Sequence, residues 1–283
     1  MSINMNPVSD TAYYCCGVRM QDAQRARSFC GDAYAKVFMD ERGMKIFDKF
    51  KHLTLSNVNN ISRCLIIDDA VRQRLTKDSG LTIISIGAGF DTRPYRLKGG
   101  HWIELDEPQI IDHKNEKLPV SQCSNALTRI AINFANESLS DKLAFLDGNK
   151  PVLIIIEGVI MYLEQPAVAK TIAEITAKFP DHDVICDLMP RRFFDKYASK
   201  SIHKLIQELG ASFATLPEVP RKVFLDNGYQ LMGVVPTYQY AHEIGAFKEL
   251  LKLPRFASGF MLNVLMPDLK DYAVHEFKFK GAR

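Results

Sequence analysis

The sequence predicts an α/β fold in which one mostly parallel sheet carries helices on both faces. Two observations lead to this prediction. From Leu81 onward, short apolar runs alternate with helix-like stretches, and near-continuous apolar runs are typical of parallel strands buried on both faces. The composition, 47% hydrophobic and 24% charged over 283 residues, is that of a globular protein long enough for one large α/β domain.

The chain before the sheet has a different pattern. Residues 1–76 are predicted to form an N-terminal helical cap, because apolar residues such as Phe29, Ile46 and Phe50 recur at helical spacing. The last helix of this cap is expected over 57–76.

Seven strands are predicted after the cap. The helical stretches between them fit right-handed crossovers between parallel strands. The final strand is expected at an edge of the sheet, because its apolar and polar residues alternate. The predicted strands cover 81–89, 101–106, 127–134, 151–159, 182–189, 229–238 and 272–280.

Helices are also predicted in the second half of the chain. A charged amphipathic helix over 191–209 follows the fifth strand, and a second helix over 217–227 ends at Gly228. Another helical pattern covers 240–253. The stretch 256–266 is ambiguous between helix and strand.

Charge and cysteine spacing restrict the class of protein. The net charge is +3, and no basic block of five or six residues occurs, so no nucleic-acid partner is expected. The six cysteines form no CxxC pair, which favours reduced thiols, and the adjacent Cys15 and Cys16 are expected to be buried. The seven histidines are dispersed, so no metal site is predicted.

The sequence shows neither an export signal nor a membrane span. The N-terminal stretch MSINMNPVSD lacks the charged and apolar blocks of a signal peptide. No apolar run approaches the ~20 residues that cross a bilayer. A cytoplasmic protein without a membrane partner is therefore expected.

The stretch IGAGFDTR follows the first predicted strand and indicates a nucleoside site. Gly87, Ala88 and Gly89 lie where open α/β sheets bind ligands, and glycine permits close approach of the backbone. Asp106 ends the second strand, where an acid can accept hydrogen bonds from both ribose hydroxyls; Glu104 on the same strand face is another candidate acid. The alternative is a plain turn, with Asp106 capping the next helix.

The third glycine of the dinucleotide fingerprint is missing. Asp91 and Thr92, with Pro94 beyond them, give a less suitable seat for a pyrophosphate. A nucleoside without phosphates, such as S-adenosylmethionine, needs no such seat. The loop therefore favours S-adenosylmethionine over NAD, and an NAD-linked oxidoreductase remains an alternative.

Three ordered motifs carry a family resemblance. The stretches IGAGFDTRPYRL, WIELDEPQIIDHK and IIIEGVIMYL, preceded by SDTAYYCCGVRMQDA, resemble the leucine carboxyl methyltransferase family. This family includes bacterial members related to polyketide-synthesis O-methyltransferases. The resemblance implies a class I methyltransferase: a Rossmann-like, seven-stranded, mostly parallel sheet with S-adenosylmethionine as cofactor.

The resemblance also implies a division of the chain. A single methyltransferase domain, 1–283, would contain the helical cap, a cofactor-binding core over 77–190, a lid insertion over 191–216 and the C-terminal part of the sheet over 217–283.

Residue roles follow from the same resemblance. Arg63 matches an arginine that pairs with the methionine carboxylate of the cofactor, and Glu157 matches a glutamate near the methionyl amine. Gly87 and Gly89 match the glycines beside the cofactor, and Asp106 matches the acid that holds the ribose.

Arg63 and Glu157 also have purely structural interpretations, and one position departs from the family pattern. Arg63 could instead pair with Asp68 or Asp69 on a helix surface, and Glu157 could cap the next helix. Where the family has Asp-Leu against the adenine, this chain has Asn133-Phe134, which can still hydrogen-bond and stack.

No histidine lies in a motif next to the expected methyl group. Tyr162 and His203 are the candidate catalytic residues, and the absence of a base favours an oxygen acceptor that needs little help, such as a carboxylate. The pair Arg191-Arg192 either faces an acidic substrate or stands at the start of a solvated helix. Arg93 and Arg96 are expected to pair locally, with Asp91 or a helix terminus.

The sequence thus predicts an S-adenosylmethionine-dependent O-methyltransferase. Its acceptor would be a carboxylate or hydroxyl of a small molecule or of a protein C-terminus. The alternative from another class is a non-catalytic S-adenosylmethionine-binding or interaction protein. The oligomeric state does not follow from the sequence.

Overall fold

The computed structural model describes residues 7–281 and contains one seven-stranded sheet in the order β3-β2-β1-β4-β5-β7-β6. The pairs among β1 to β5 are parallel, and β7 runs antiparallel to both of its neighbours. All seven predicted strands are confirmed: β1 Thr82–Ile86, β2 His101–Asp106, β3 Ala126–Ala131, β4 Val152–Ile156, β5 Asp181–Leu188, β6 Gln230–Pro236 and β7 Ala273–Lys280.

The prediction that the final strand lies at an edge is wrong. β7 lies between β5 and β6, and β6 is the edge strand, with Met232 and Val234 exposed. Two polar positions of β7 are partly buried and form ion pairs: Glu276 pairs with Arg74, and Lys278 pairs with Asp183. The alternation therefore marked polar residues with partners inside the protein, not the open side of an edge strand.

Helices cover both faces of the sheet. The region before β1 is helical, as predicted, and contains four helices; the helix expected over 57–76 begins earlier, at Thr54. The helices are α1 Pro7–Ala23, α2 Ala35–Phe38, α3 Glu41–Phe50, α4 Thr54–Lys77, α5 Arg93–Arg96, α6 Pro108–Lys117, α7 Leu139–Lys142, α8 Gln165–Lys178, α9 Arg191–Phe193, α10 Ile202–Glu208, α11 Lys222–Asp226, α12 Thr237–Glu243, α13 Ala246–Leu251 and α14 Arg255–Phe260.

Alternate residues of each central strand enter different cores. Ile83 of β1 belongs to the core that packs on α1 and α4, whereas Ile84 belongs to the core that packs on α8. The same division separates Leu153 from Ile154 on β4. Because successive strand side chains point to opposite faces, both faces must be apolar, which explains the near-continuous apolar runs.

The second half of the chain is less regular than predicted. The helix expected over 191–209 is interrupted by a π-helical segment, Phe194–Ala198, and the helix expected over 217–227 is reduced to α11. Gly245, at φ 79°, splits the helical stretch 240–253 into α12 and α13. The ambiguous stretch 256–266 is helical, with α14 continuing into the π-helical segment Met261–Leu265.

A third apolar core lies beyond the carboxyl ends of β4 and β5. It combines Val58 of α4, Met189 after β5 and Leu262 of the π-helical segment. Within residues 7–281, no helix is long and apolar enough to cross a membrane. Residues 1–6 lie outside the described residues. They include most of the N-terminal stretch in which no signal peptide was predicted.

Candidate functional site

The glycine turn after β1 has a backbone that requires glycine. Gly87 has φ 68°, and a Cβ atom there would lie 2.4 Å from Cγ2 of Val159. The N–H groups of Gly87 and Ala88 both donate to the carbonyl oxygen of Leu105, at 2.9 and 3.1 Å. The turn is thus fixed against the end of β2 and against the loop after β4.

Asp106 joins this turn to the end of β2. Its carboxylate accepts the N–H of Gly89 at 2.6 Å and the N–H of Glu107 at 2.7 Å. Asp106 therefore does not cap α6, which was the alternative predicted from the sequence. Burial raises the pKa of Asp106 to about 6, although both N–H donors favour the ionised form. Each oxygen keeps a lone pair for a further donor.

Glu104, the other candidate acid, has a different environment. Its oxygens pair with Lys114 at 2.7 Å and Arg129 at 2.9 Å, and all three side chains are almost fully buried. This is a complete internal ion-pair group under α6.

Arg63 and Glu157 are brought together across 94 residues of sequence. Arg63 is 6% exposed, and its Nε donates to Glu157 Oε1 at 2.9 Å. The alternatives that Arg63 pairs with Asp68 or Asp69 on a helix surface and that Glu157 caps a helix are therefore wrong. Burial alone would raise the pKa of Glu157, but Arg93 and Arg63 hold it below its usual value.

Arg93 was expected to pair locally, and it does pair with Asp91 at 2.9 Å. Its guanidinium also reaches Asp68 of α4 at 2.6 Å and Glu157 Oε2 at 2.7 Å. Arg96 pairs with the other oxygen of Asp68 at 2.6 Å. Asp91 of the glycine stretch is thus part of a buried network that links α4, α5 and the end of β4.

Asp187, at the end of β5, completes this network. It accepts Arg63 Nη1 at 3.1 Å, the Tyr272 hydroxyl at 2.5 Å and the N–H of Gly158 at 2.6 Å. Gly158 has φ 70°, and a Cβ atom there would lie 3.3 Å from Arg63 Nη2. Asp187 was not among the residues predicted from the sequence, although an acid at the end of the apolar run of β5 could have indicated it as a site residue.

We call the connected residues at this edge the polar rim. From one end to the other, Asp106 contacts Gly89, the glycine turn contacts Val159, and Glu157 and Gly158 contact Arg63. The rim therefore brings together the candidates from three separate motifs. Its residues are Arg63, Gly87, Gly89, Arg93, Asp106, Glu157, Gly158 and Asp187.

A cavity of about 420 Å³ opens beside Arg63 and Gly158. Arg63 lines it, and within residues 7–281 its Nη2 donates a hydrogen bond to no carboxylate, only to Cys15 Sγ at 3.7 Å. Cys15 is half-buried and lines the cavity, so only Cys16 fits the prediction of a buried pair. One face of a buried guanidinium is thus available to an anion.

The helical region before β1 contributes a largely polar part of the cavity surface, which includes His52, Ser56, Asn59 and Asn60. The opposite part, which we call the apolar wall, consists mainly of methionine, aromatic and aliphatic side chains. It is built by the loop after β4, the segment 191–216 and the chain before β7. Its residues include Met161, Tyr162, Met189, Phe193, Tyr197, Ile202, Phe213, Tyr238 and Met266. Lys196 lies at the mouth, paired with Asp268 at 2.5 Å.

The two candidate catalytic residues are placed differently. Tyr162 lines the cavity, with its ring centroid 5.1 Å from that of Phe213, and burial raises its pKa. His203 does not belong to the lining; it stacks on the far side of Phe213, at 5.2 Å, with Nε2 near the Ser212 hydroxyl. Burial lowers the pKa of His203, which favours the neutral ring.

Asn133 and Phe134 follow β3, outside the cavity lining. Asn133 Oδ1 accepts the N–H of Ala135 at 3.0 Å, and Phe134 packs against the core under α8. Arg191 and Arg192 are exposed and pair with Asp195 and with Asp268 and Asp271, as in a solvated helix. No group of three His, Cys, Asp or Glu side chains suited to a metal ion occurs within residues 7–281.

The chain is similar to known methyltransferases. The sequence model of the leucine carboxyl methyltransferase family matches residues 14–176. The chain is 25% identical, over 221 residues, to the S-adenosyl-L-methionine-dependent methyltransferase dpfgK of Gibberella zeae, which covers 72% of this chain and 69% of that protein.

A bacterial relative and a solved structure extend the comparison. The tetracenomycin polyketide synthesis O-methyltransferase TcmP of Streptomyces glaucescens is 22% identical over 75% of this chain and 76% of its own. A DUF574 family protein from Streptomyces avermitilis has a similar fold, with a TM-score of 0.57 at 12% identity over 88% of this chain and 95% of that chain.

Proposed function

The chain belongs to the leucine carboxyl methyltransferase family and is an S-adenosylmethionine-dependent methyltransferase, and from this premise we propose that it methylates an oxygen atom of a small, largely apolar molecule. The proposal has two parts. The polar rim holds the cofactor, and the apolar wall holds the acceptor.

The residues of the polar rim fit the cofactor. Its methionyl end is a zwitterion, which needs a cation for the carboxylate and acceptors for the ammonium. Arg63 Nη2 supplies a guanidinium face that is not taken up by a carboxylate of the described chain. Glu157 and Asp187 supply oxygen acceptors beside it.

The adenosine end would lie along the glycine turn. Asp106 would accept the ribose hydroxyls with its remaining lone pairs, and Gly87 and Gly89 would let the backbone approach. The side-chain oxygen of Asn133 accepts a hydrogen bond from Ala135, so we assign its side-chain NH₂ group to the adenine edge. Phe134 lies beside it in sequence.

When bound, the cofactor supplies an electrophilic methyl group on its sulfonium. The protein's task is to hold the acceptor oxygen in line and to exclude water. Tyr162, on the cavity side of the loop after β4, is placed to orient that oxygen. Within the described residues the cavity lining contains one histidine, His52, which is exposed on the turn after α3 and is the candidate base for a hydroxyl acceptor. A carboxylate acceptor would already be ionised at neutral pH and would need no base.

The observation that carries the acceptor class is the lining of the cavity. Methionine, aromatic and aliphatic side chains form more than half of this lining, and its one lysine is paired with Asp268 at the mouth. Such a wall favours an apolar body of the size of a small molecule over the charged C-terminal segment of a protein.

The test is a methyl-transfer assay with radiolabelled cofactor, run in parallel with calorimetric titrations of S-adenosylmethionine and NADH. We expect micromolar binding of S-adenosylmethionine, no binding of NADH, and transfer to apolar aromatic carboxylic acids or phenols. Transfer only to peptides with a free C-terminus would contradict the acceptor class. Binding without transfer to any acceptor of a broad panel would favour the non-catalytic alternative.

A further inference from the structure

Four large apolar side chains are exposed together on one helical segment before β7. They are Phe256, Phe260, Val264 and Leu265, with 81%, 55%, 59% and 63% of their surface exposed. The segment is continuous, because α14 passes directly into the π-helical residues 261–265. We call these four residues the exposed apolar face.

The spacing shows that this face is a single side of the helix. Phe256, Phe260 and Val264 are four residues apart, whereas Ser258 and Leu262, which lie between them, are buried against the third core. The segment is therefore amphipathic, with one apolar side used internally and another facing outward. The apolar residues on the outward side are not explained by packing within this chain.

Cations flank the exposed apolar face. Lys248, Lys252 and Arg255 are exposed, and none of the three forms an ion pair with a carboxylate within residues 7–281. Two acids lie nearby in sequence, and both are paired: Glu249 with Arg27 at 3.7 Å, and Asp268, three residues after Leu265, with Lys196 and Arg192. The surface around the face is thus apolar and basic, which complements an apolar layer bordered by negative charge.

The face also adjoins the mouth of the cavity. Met266, the next residue after Leu265, lines the cavity together with Lys196. An apolar molecule that reaches the exposed apolar face is therefore one residue away from the apolar wall.

We propose that the exposed apolar face docks the protein on the surface of an anionic lipid bilayer. Phe256, Phe260, Val264 and Leu265 would enter the acyl boundary while Lys248, Lys252 and Arg255 contact the headgroups. Such docking needs no spanning helix, so it is compatible with the short apolar runs of the sequence. The idea that docking also loads an apolar acceptor rests on the proposed function; the docking itself does not.

The area of the face favours a bilayer over a second copy of this chain. Four side chains with these exposures present on the order of 500 Å². A stable interface between proteins needs about 800 Å² from each partner. A two-fold contact would also bring the cations of both copies close together.

Co-sedimentation with vesicles tests the proposal without cofactor or acceptor, so its result is independent of the methyl-transfer assay. The vesicles contain equal parts of phosphatidylglycerol and phosphatidylcholine, or phosphatidylcholine alone. We expect binding to the anionic vesicles and at least tenfold weaker binding to the neutral ones. The double variant Phe256→Gln/Phe260→Gln should lose at least tenfold in affinity, and Lys248→Glu/Arg255→Glu should lose a similar amount.

The matched control changes two exposed apolar residues far from this segment in sequence. Met232→Thr/Val234→Thr on the edge strand β6 removes 57% and 40% exposed side chains and should bind as the parent does. Equal loss in this control, or no binding by the parent protein, would overturn the proposal. So would a parent dimer, seen by light scattering, that Phe256→Gln/Phe260→Gln converts to monomer.

Discussion

The polar rim reaches the cavity at Arg63 and Gly158, the apolar wall lines much of the rest, and the two are built in different ways. Each charged rim group is held by two or more partners, as Arg63 is by Glu157, Asp187 and Tyr272, and all of them except Arg93 stand on a long helix or at a strand end. The wall residues stand on short helices, a π-helical segment and loops, and are held mainly by packing.

This difference follows from energetics. A buried charge costs several kcal/mol unless its partners are placed within a few tenths of an ångström, so the rim tolerates little change. Methionine and aromatic side chains fill irregular space with small penalties for exchange. The rim therefore suits a ligand that is constant, and the wall suits an acceptor that can change between related proteins.

Replacement of Arg63 should give the largest effect. Arg63→Ala removes the cation for the cofactor and leaves Glu157 and Asp187 buried without it, which costs about 3–5 kcal/mol of stability. Arg63→Lys keeps the charge but loses the fork, so it should fold and still bind the cofactor at least 100-fold more weakly by calorimetry. The control is Arg72→Ala, an exposed arginine of the same helix. Unchanged affinity in folded Arg63→Lys would remove Arg63 from the cofactor site.

Asp106 should give a smaller effect that depends on pH. Asp106→Asn removes the charged acceptor, and we expect about 10- to 100-fold weaker cofactor binding at pH 8, with the exposed Asp112→Asn as control. Because burial raises the pKa of Asp106 to about 6, affinity of the parent protein should be constant above pH 7 and fall as pH drops through 6. Asp106→Asn should lack this fall. A parent profile that is flat from pH 8 to 5 would show that the ionised carboxylate does not hold the ribose.

The smallest effect is expected on the wall. Tyr162→Phe keeps the ring packed against Phe213 and removes only the hydroxyl, so kcat/KM should fall about tenfold with unchanged cofactor affinity. His203→Ala, on the far side of Phe213, serves as control and should stay within about threefold. The opposite ranking of these two variants would move the acceptor site away from the loop after β4.

The sequence was sufficient for the seven strands and for five of the eight rim members, but not for Gly158, Asp187, the wider contacts of Arg93 or the pairing within the rim. Gly87, Asp106 and Glu157 each follow an apolar run, so strand ends located them. The Arg63–Glu157 contact spans 94 residues, and the position of Asp187 beside both depends on the order of the strands, which local patterns do not contain.

The errors of prediction have a common origin. The edge position of β7 and the continuous helix over 191–209 were both inferred from the periodicity of apolar residues. Periodicity does not show whether a polar side chain contacts water or a partner such as Arg74. It also does not show whether a helix is regular or interrupted by a π-helical segment. The exposed apolar face was ambiguous for the same reason.

The inserted position of β7 imposes an order of assembly on the chain. β5 cannot complete its ladder, and β6 cannot join the sheet, until residues 273–280 have left the ribosome. Tyr272, which binds Asp187 and Arg63, arrives in the same step. During synthesis the nascent chain therefore carries an unpaired β5 edge and an incomplete rim, a state in which chaperone contact and aggregation compete with folding.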